Sequence, residues 1–213
     1  MNTRPENLSS RSRAVAVRIR DLARDMRNSL QLKSSFLAAK RRGDIRMRIA
    51  GLEILFQAAK DSTVLDLGCF DGLIAYEFAR SGAKIVHGLD NDAFHLDTAK
   101  RIFSQVDLPS MFVHADLRKP DAVRRALGDH AHSKYDIVLF LGVYQHIYRS
   151  MSMQRRKVLI DGIVDRAGSF LAIRMPQDVW TETGHLLPAR NLELVSSLPQ
   201  IGNVGELRIY CCK

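Results

Sequence analysis

The sequence predicts an α/β protein built on a doubly wound, mostly parallel sheet of seven strands with an antiparallel last strand. Short apolar runs alternate with helix-like segments from residue 63 onward, which is typical of parallel sheets. A glycine turn joins the first strand to the first helix of this series, as at the ligand-binding corner of such folds. The last two strand-like runs are separated by a connection too short for a parallel crossover, so they form a hairpin.

The spacing of apolar residues places each element of this series. The strands are predicted at 63–67, 84–89, 111–115, 135–141, 169–174, 192–197 and 206–212. The helices between them are predicted at 72–80, 92–105, 121–127 and 152–166. Pro120 is expected in the first turn of the third helix and Gly128 just past its end, which is the usual asymmetry of helix termini.

The net charge of +9 comes from the N-terminal part of the sequence. Residues 1–48 hold 13 of the 32 Lys and Arg residues but only 4 of the 23 Asp and Glu residues, and the rest of the chain holds 19 of each. We therefore divide the chain into a basic helical N-terminal extension, residues 1–48, and a domain of balanced charge, residues 49–213.

The extension is expected to contain an amphipathic helix from about residue 12 to residue 33. Its apolar stripe consists of Val15, Ile19, Leu22, Met26 and Leu30. Arginines cover much of the remaining surface, which fits a solvated face, an RNA backbone, an anionic membrane surface or attraction of an acidic small substrate. The first 33 residues contain no aromatic side chain, which weakens the RNA and membrane interpretations. A second helix, capped by Asp44 and reaching Phe56, is expected to pack on the sheet.

The composition indicates a cytoplasmic globular protein. At 213 residues and 46% hydrophobic content, the chain is long enough for one well-buried domain with an extension. No apolar run approaches the roughly 18 residues of a transmembrane helix, and the N-terminus lacks an apolar signal core. The three cysteines, Cys69, Cys211 and Cys212, offer no disulfide framework, which fits a reducing compartment.

The most informative stretch is Val64 to Gly72, which reads Val-Leu-Asp-Leu-Gly-Cys-Phe-Asp-Gly. Asp90 follows the next strand, 22 residues after Gly68, where a carboxylate can accept hydrogen bonds from ribose hydroxyls. A dinucleotide site needs a second glycine where this chain has Phe70, and Asp66 would repel a pyrophosphate. The residues therefore favour a cationic nucleoside such as S-adenosylmethionine (SAM) over a nicotinamide dinucleotide.

The run from Asp66 to Gly72 resembles motif I of the class I SAM-dependent methyltransferases, a family that usually has glycine at the position of Phe70. The resemblance implies that this loop holds the methionine part of SAM and that Asp66 orders the loop or contacts the ammonium group. It further implies a ribose ligand, an adenine ligand with a leucine beside the ring, and a motif IV that starts after the fourth strand. The cofactor-binding residues expected on this basis are Asp66, Gly68, Cys69, Phe70, Gly72, Asp90 and Asn91, then Asp116 and Leu117 at the adenine, then Leu141 and Gly142.

His146 is the candidate catalytic residue, because it follows the fourth strand near the expected methyl group and imidazole can accept a proton near neutral pH. A structural role of His146 is the alternative, since methyl transfer by alignment alone needs no strong base. Tyr144 is expected either to orient the substrate or to close the adenine pocket. Trp180 is expected either to cover the methyl-acceptor pocket or to plug the sheet. No His, Cys or carboxylate set has metal-ligand spacing, so no metal is predicted.

The function predicted from the sequence is transfer of a methyl group from SAM to an oxygen or nitrogen acceptor of unknown identity. The alternative is a non-catalytic SAM-binding or RNA-binding module that retains the fold. The run from Gly142 to His146 has some similarity to tRNA-modifying members of the family, and the basic extension is compatible with RNA. Neither feature identifies the acceptor, and small-molecule or lipid-linked acceptors stay open.

Overall fold

The structure, a computed structural model, describes residues 45–104, 108–187 and 191–213. Within these residues the strands are β1 Thr63–Leu67, β2 Ile85–Asp90, β3 Ser110–His114, β4 Tyr135–Leu141, β5 Ala167–Met175, β6 Leu192–Leu198 and β7 Glu206–Cys212. They form one sheet in the order β3-β2-β1-β4-β5-β7-β6. The first five strands run parallel, and β7 runs antiparallel to both β5 and β6. The predicted fold class and the predicted closing hairpin are confirmed.

Helices cover both faces of this sheet. They are α1 Ile45–Ile49, α2 Glu53–Ala58, α3 Leu73–Arg80, α4 Ala93–Ser104, α5 Ala122–Leu127, α6 Tyr144–Ile147, α7 Met153–Arg166 and α8 Gln177–Thr183. One apolar cluster joins the sheet to α2, α3 and α4, and a second joins it to α5, α7 and α8. Ile137 and Leu139 of β4 belong to the first cluster and Val138 and Phe140 to the second, because successive side chains of a strand point to opposite faces. The central strands are therefore apolar on both sides.

The order of the strands reverses beside β1. From β1 the chain proceeds outward to β2 and β3, and it then returns to β4 on the other side of β1. Such a switch point opens a crevice beyond the carboxyl ends of the strands. In the register of the sheet, Leu67 pairs with Leu89 of β2 and with Phe140 of β4. The loops that follow these three strands therefore leave the sheet side by side.

The helix expected to reach Phe56 is broken in two. Gly51 separates α1 from α2 with a φ of +83°, a left-handed conformation that favours glycine and ends a helix. A Cβ at Gly51 would lie 2.9 Å from Leu207 Cδ2, so the break also brings the chain against β7. The expected cap, Asp44, and the expected helix over residues 12–33 lie outside the described residues.

Several predicted boundaries move by one or two residues. The strand β5 begins at Ala167 because it follows α7 without a loop. The helix α5 begins at Ala122, so Pro120 precedes the helix and does not lie in its first turn, whereas Gly128 does follow its end. The division of the chain at residue 48 stays a prediction. Among the described residues, no helix combines the length and the apolar character needed to cross a membrane.

Candidate functional site

The loop after β1, residues 68–72, is held against its neighbours by its backbone, and we call it the glycine loop. The N–H groups of Gly68 and Cys69 both donate to the carbonyl oxygen of Leu89, at 2.7 and 3.0 Å. Gly68 and Gly72 have φ values of +80° and +73°. A Cβ at Gly68 would overlap Val143, and one at Gly72 would lie 2.8 Å from Ala99 Cβ. Both positions therefore require glycine, for backbone conformation and for space.

Phe70 occupies the glycine loop in a conformation that is unusual for its residue type. Its φ is +52°, which costs a side chain with a Cβ roughly 1–2 kcal/mol. The N–H of Phe70 donates to Oδ2 of Asp90 at 2.9 Å, which helps to hold this conformation. The ring stacks on His95 with 3.6 Å between ring centroids, and His95 in turn is 2.6 Å from Asp71 Oδ1. The Phe70 side chain therefore packs outward on α4.

Asp90 lies at the end of β2 with both carboxylate oxygens directed at the backbone around the crevice. Oδ2 accepts from Phe70, and Oδ1 accepts from the N–H of Asp92 at 3.0 Å. Each carboxylate oxygen offers about two acceptor positions, so both retain capacity for a further donor. A ribose diol supplies two such donors. The geometry is therefore compatible with the predicted ribose ligand.

Asp66 is a buried acid at the same edge. Its side chain is 2% exposed, and its Oδ2 has no hydrogen-bond partner within the part of the chain that the structure describes. Burial raises the pKa of Asp66 from its ordinary value of 3.8 to about 7, the charge of Arg48 lowers it, and the charge of Asp90 raises it. A buried carboxyl group with a free oxygen is suited to receive a cationic or hydrogen-bond-donating ligand group.

The adenine side of the predicted site is partly occupied by protein contacts. Asp116 accepts from Arg118 Nε at 2.8 Å and from Arg118 Nη2 at 2.9 Å, and these hydrogen bonds hold the pKa of the Asp116 carboxyl below its usual range. Leu117 is buried beside it. Asn91 is exposed, and its carbonyl oxygen shares a hydrogen bond with His114 Nε2 at 3.0 Å. Binding of an adenine amino group by Asp116 stays a prediction.

The motif IV region contains both buried and exposed side chains. Gly142 adopts a φ of +73°, and its N–H donates to the Arg174 carbonyl at 2.8 Å. Tyr144 is 1% exposed and stacks on Tyr148, with 5.4 Å between ring centroids. His146 is exposed at the surface of α6. The structure thus places Tyr144 in the core, whereas the predicted catalytic histidine is accessible.

Cys69 and Trp180, two further predicted site residues, are both buried. Burial raises the pKa of the Cys69 thiol far above its usual range, so this loop residue contributes its backbone and not a reactive thiolate. Trp180 is 4% exposed, its indole N–H donates to the Glu206 carbonyl at 3.1 Å, and the Arg208 guanidinium lies 4.1 Å from its ring. These contacts fit the interpretation of Trp180 as a plug that joins α8 to β7, and an acceptor-binding role stays a prediction.

Sequence reasoning missed three polar residues of this edge. Gln145 has a buried Oε1 without a partner among the described residues, and a Cβ at Gly142 would lie 3.6 Å from its Nε2. Arg48 is a half-buried cation near the glycine loop. Arg174 is a buried cation near the end of β5. The sequence does contain a signal for Arg174, since this charged residue lies inside a strand predicted to be buried. A buried charge requires partners.

The residues present fit SAM as the cofactor. The Oδ2 of Asp66 has no hydrogen-bond partner among the described residues, and Asp66 lies in β1 close to the glycine loop. Asp90, at the end of β2, also has free acceptor capacity beside this loop. A cavity of about 530 Å³ between α5 and α7 shares Leu67 and Leu117 with this edge, but its lining includes none of the glycine loop. That cavity therefore lies beside the proposed cofactor site. The described residues contain no group of three or more metal-ligating side chains.

Comparison with known proteins supports SAM as the cofactor. Residues 64–159 match the family described as a methyltransferase domain. A TehB-like SAM-dependent methyltransferase from Corynebacterium glutamicum shares the fold at 18% identity and a TM-score of 0.58, with 88% of this chain and 97% of that chain covered. The N-methyltransferase NodS from Bradyrhizobium japonicum, in complex with S-adenosylhomocysteine (SAH), is 14% identical with a TM-score of 0.57, over 79% of this chain and 83% of its own.

A third solved structure extends the comparison. The magnesium protoporphyrin IX methyltransferase from Synechocystis, with bound SAH, is 14% identical with a TM-score of 0.55, over 87% of this chain and 95% of its own. No curated protein matches the sequence. The family match spans β1 to β4 and the loops that follow them, and the solved structures share the fold. Residues 64–159 of the chain therefore match a methyltransferase domain, and the chain shares its fold with solved SAM-dependent methyltransferases.

Proposed function

We propose that this protein transfers a methyl group from SAM to an oxygen or nitrogen atom of an acceptor whose identity is open. The observation that carries the proposal is the hydrogen bond from the Phe70 N–H to Asp90, which joins the glycine loop to the ribose-binding carboxylate next to the free oxygen of Asp66. This arrangement presents acidic acceptors to a cationic nucleoside. The N–H of Phe70 already donates to Asp90, so it is not free to bind a pyrophosphate.

The roles proposed for the residues are those that the motif resemblance implies. The glycine loop and Asp66 would hold the amino-acid part of SAM, Asp90 and Asn91 the ribose, and the Asp116–Leu117 pair the adenine. When bound, SAM supplies a methyl group on a sulfonium that is already a good leaving group. The contribution of the protein is then mainly to fix the distance and the angle between this methyl group and the acceptor atom.

His146 would take the proton that the acceptor atom loses. Its imidazole is exposed beyond the end of β4, on the same edge as Asp66 and Asp90, where an acceptor can reach it. A positioned imidazole typically contributes a factor of about 10² to 10⁴ in such proton transfers. An acceptor that loses no proton would not need this residue.

The experiment that tests the proposal begins with calorimetric titration of SAH into the wild-type protein and into Asp90→Ala. Binding to the wild type that is lost in the variant is the expected result. Transfer of a radiolabelled methyl group from SAM to extracts fractionated into RNA, protein and small molecules then identifies the acceptor class. Wild-type protein that binds no SAH contradicts the proposal.

The second candidate is a SAM-binding or RNA-binding module without turnover. It is favoured by one observation, the basic excess of residues 1–48, which suits an RNA backbone or an anionic membrane surface. SAH binding without methyl transfer to any acceptor fraction would support this candidate. Replacement of Arg18, Arg20, Arg24 and Arg27 with Gln should then weaken RNA binding and reduce its salt dependence.

A further inference from the structure

Arg174 is a buried cation at the carboxyl edge of the sheet, outside the predicted site residues. It lies in β5 opposite Leu141 of β4, and it is 5% exposed. Burial lowers the pKa of Arg174 to about 10, while the charge of Glu53 raises it and that of Arg48 lowers it. A guanidinium in such a place requires hydrogen-bond partners that offset its desolvation.

The partners of Arg174 are backbone carbonyls at the end of α1. Nη1 donates to the carbonyl oxygen of Arg48, and Nη2 donates to that of Ala50 at 2.7 Å. Carbonyls at the C-terminal end of a helix have no intrahelical partner and carry partial negative charge, so a cation is favoured there. The two branches of one guanidinium therefore fasten the end of α1, just before the turn at Gly51, to the sheet.

The side chain of the fastened residue extends to the glycine loop. The Arg48 guanidinium carbon lies 5.2 Å from the centroid of the Phe70 ring. The charge of Arg48 lowers the pKa of Asp66, whereas burial raises it. Asp66 Oδ2 nevertheless has no hydrogen-bond partner among the described residues, so Arg48 does not donate a hydrogen bond to that oxygen. The other charges around the glycine loop include those of Asp71 and Asp90.

The amino-acid end of a ligand carries two charged groups that complement the charges of Asp66 and Arg48. It carries an ammonium group and a carboxylate on one carbon atom, and each needs a partner of opposite charge in a partly buried site. Asp66 suits the ammonium group, and Arg48 suits the carboxylate because a guanidinium can bind it through two parallel hydrogen bonds. The separate placement of these two side chains leaves both available for the ligand.

We propose that Arg174 is a positioning residue for the cofactor site, which holds the end of α1 so that Arg48 faces the glycine loop and binds the carboxylate of the cofactor's amino-acid part. This inference rests on the proposed function, since it assigns a subsite within the same cofactor site. It makes α1 part of that site. Arg174 itself does not contact the cofactor and acts through the backbone of Arg48 and Ala50.

The test compares two ligands that differ only at the amino-acid end. SAH carries the ammonium and carboxylate groups, and 5′-methylthioadenosine is the same nucleoside thioether without them. Arg48→Gln and Arg174→Gln should each weaken SAH binding by about tenfold or more in calorimetry, while leaving the affinity for 5′-methylthioadenosine unchanged. Arg80→Gln, a substitution of an exposed arginine on α3, is the matched control and should change neither affinity.

A double-variant cycle tests whether Arg174 acts through Arg48. The Arg48→Gln/Arg174→Gln protein should bind SAH no more weakly than the weaker single variant, because the second change removes a contact that is already lost. Arg174→Lys retains the charge but lacks the fork that reaches two carbonyls, so it should fall between the wild type and Arg174→Gln. If Arg174→Gln does not fold, the same cycle is run with Arg174→Lys.

The outcomes separate this inference from the proposed function. Equal weakening of both ligands, or fully additive losses in the double variant, would overturn the positioning role of Arg174. Unchanged SAH affinity in Arg48→Gln would overturn the carboxylate subsite, while Asp90→Ala still tests the cofactor site. A wild-type protein that binds neither ligand would contradict the proposed function itself.

Discussion

The backbone N–H of Phe70 lies 2.9 Å from Oδ2 of Asp90, so the loop after β1 and the acid after β2 form one hydrogen-bonded unit. Because the other oxygen accepts from Asp92 at 3.0 Å, the same carboxylate also fixes the start of the chain that leads into α4. Asp90 therefore has two tasks in the proposed site. It sets the shape of the glycine loop, and it offers acceptor capacity to a ribose.

Asp90→Ala should weaken SAH binding by at least about a hundredfold, because it removes charged hydrogen bonds to the ligand and releases the N–H of Phe70. Calorimetric titration measures the change. Asp92→Ala is the matched control: Asp92 Oδ1 accepts from the N–H of Phe94 at 2.9 Å at the start of α4, and loss of this acceptor should lower stability by about 1 kcal/mol with little effect on SAH affinity. Equal affinity losses in both variants would show that Asp90 acts only on local structure.

Asp66 should make the stability of the free protein decrease as pH rises. Its folded-state pKa of about 7 lies above its ordinary value of 3.8, so the folded protein retains a proton that the unfolded chain releases between these values. The stabilisation is present below about pH 4 and is lost as pH rises through about 7. The free energy of unfolding of Asp66→Asn should therefore exceed that of the wild type by up to about 4 kcal/mol at pH 8 and by little at pH 4, as measured by chemical denaturation.

The same carboxyl group should release a proton when the cofactor site is filled. An ammonium group beside Asp66 favours its ionised form and lowers its pKa, so SAH binding near pH 6 should expel a proton. The measured binding enthalpy should then depend on the ionisation enthalpy of the buffer, and this dependence should disappear in Asp66→Asn. A wild-type enthalpy that is independent of the buffer would place the ammonium group elsewhere.

His146→Ala should lower kcat by about 10²-fold or more without changing the SAH dissociation constant, provided that the acceptor loses a proton. Steady-state kinetics with the identified acceptor measure kcat, and calorimetry with SAH measures the dissociation constant. His130→Ala removes another exposed histidine, in the turn after α5, and should change neither. An unchanged kcat in His146→Ala would indicate that alignment of the reactants is sufficient.

Trp180→Phe should lower stability by about 1 kcal/mol, because it removes the hydrogen bond to the Glu206 carbonyl while an aromatic ring still fills the space. Trp180→Ala should lower it by about 3–5 kcal/mol through loss of a buried ring. Thermal denaturation measures both changes. If Trp180 is a plug, the KM for the acceptor stays unchanged in Trp180→Phe, whereas a higher KM would assign it to the acceptor pocket.

Local chemistry was sufficient to predict much of this structure. The β1 strand, the glycine turn and Asp90 all lie within the 28 residues from Thr63 to Asp90, so their arrangement could be predicted from spacing. The break at Gly51 was missed, because a single glycine inside an apolar-periodic segment is tolerated in many helices. Nothing in that segment reveals that Leu207 lies against it.

Features that depend on distant partners were not predictable. The insertion of β7 between β5 and β6 depends on which strand edge is available once the sheet has formed. Arg174 finds its carbonyl partners 126 and 124 residues away, a relationship that periodicity does not encode. The pairing of Asp116 with Arg118 is local, but a two-residue spacing outside a helix or strand carries no fixed geometry.

The position of β7 has a consequence for synthesis. Until this strand leaves the ribosome, the edge of β5 that it covers, which is largely apolar from Phe170 to Ile173, stays open to other chains. The residues that build the glycine loop and Asp90 are made more than a hundred positions earlier. A nascent chain can therefore form the glycine loop and its contact with Asp90 while the aggregation-prone edge of β5 is still exposed. Binding of a ligand or a chaperone during that interval would protect the chain from aggregation.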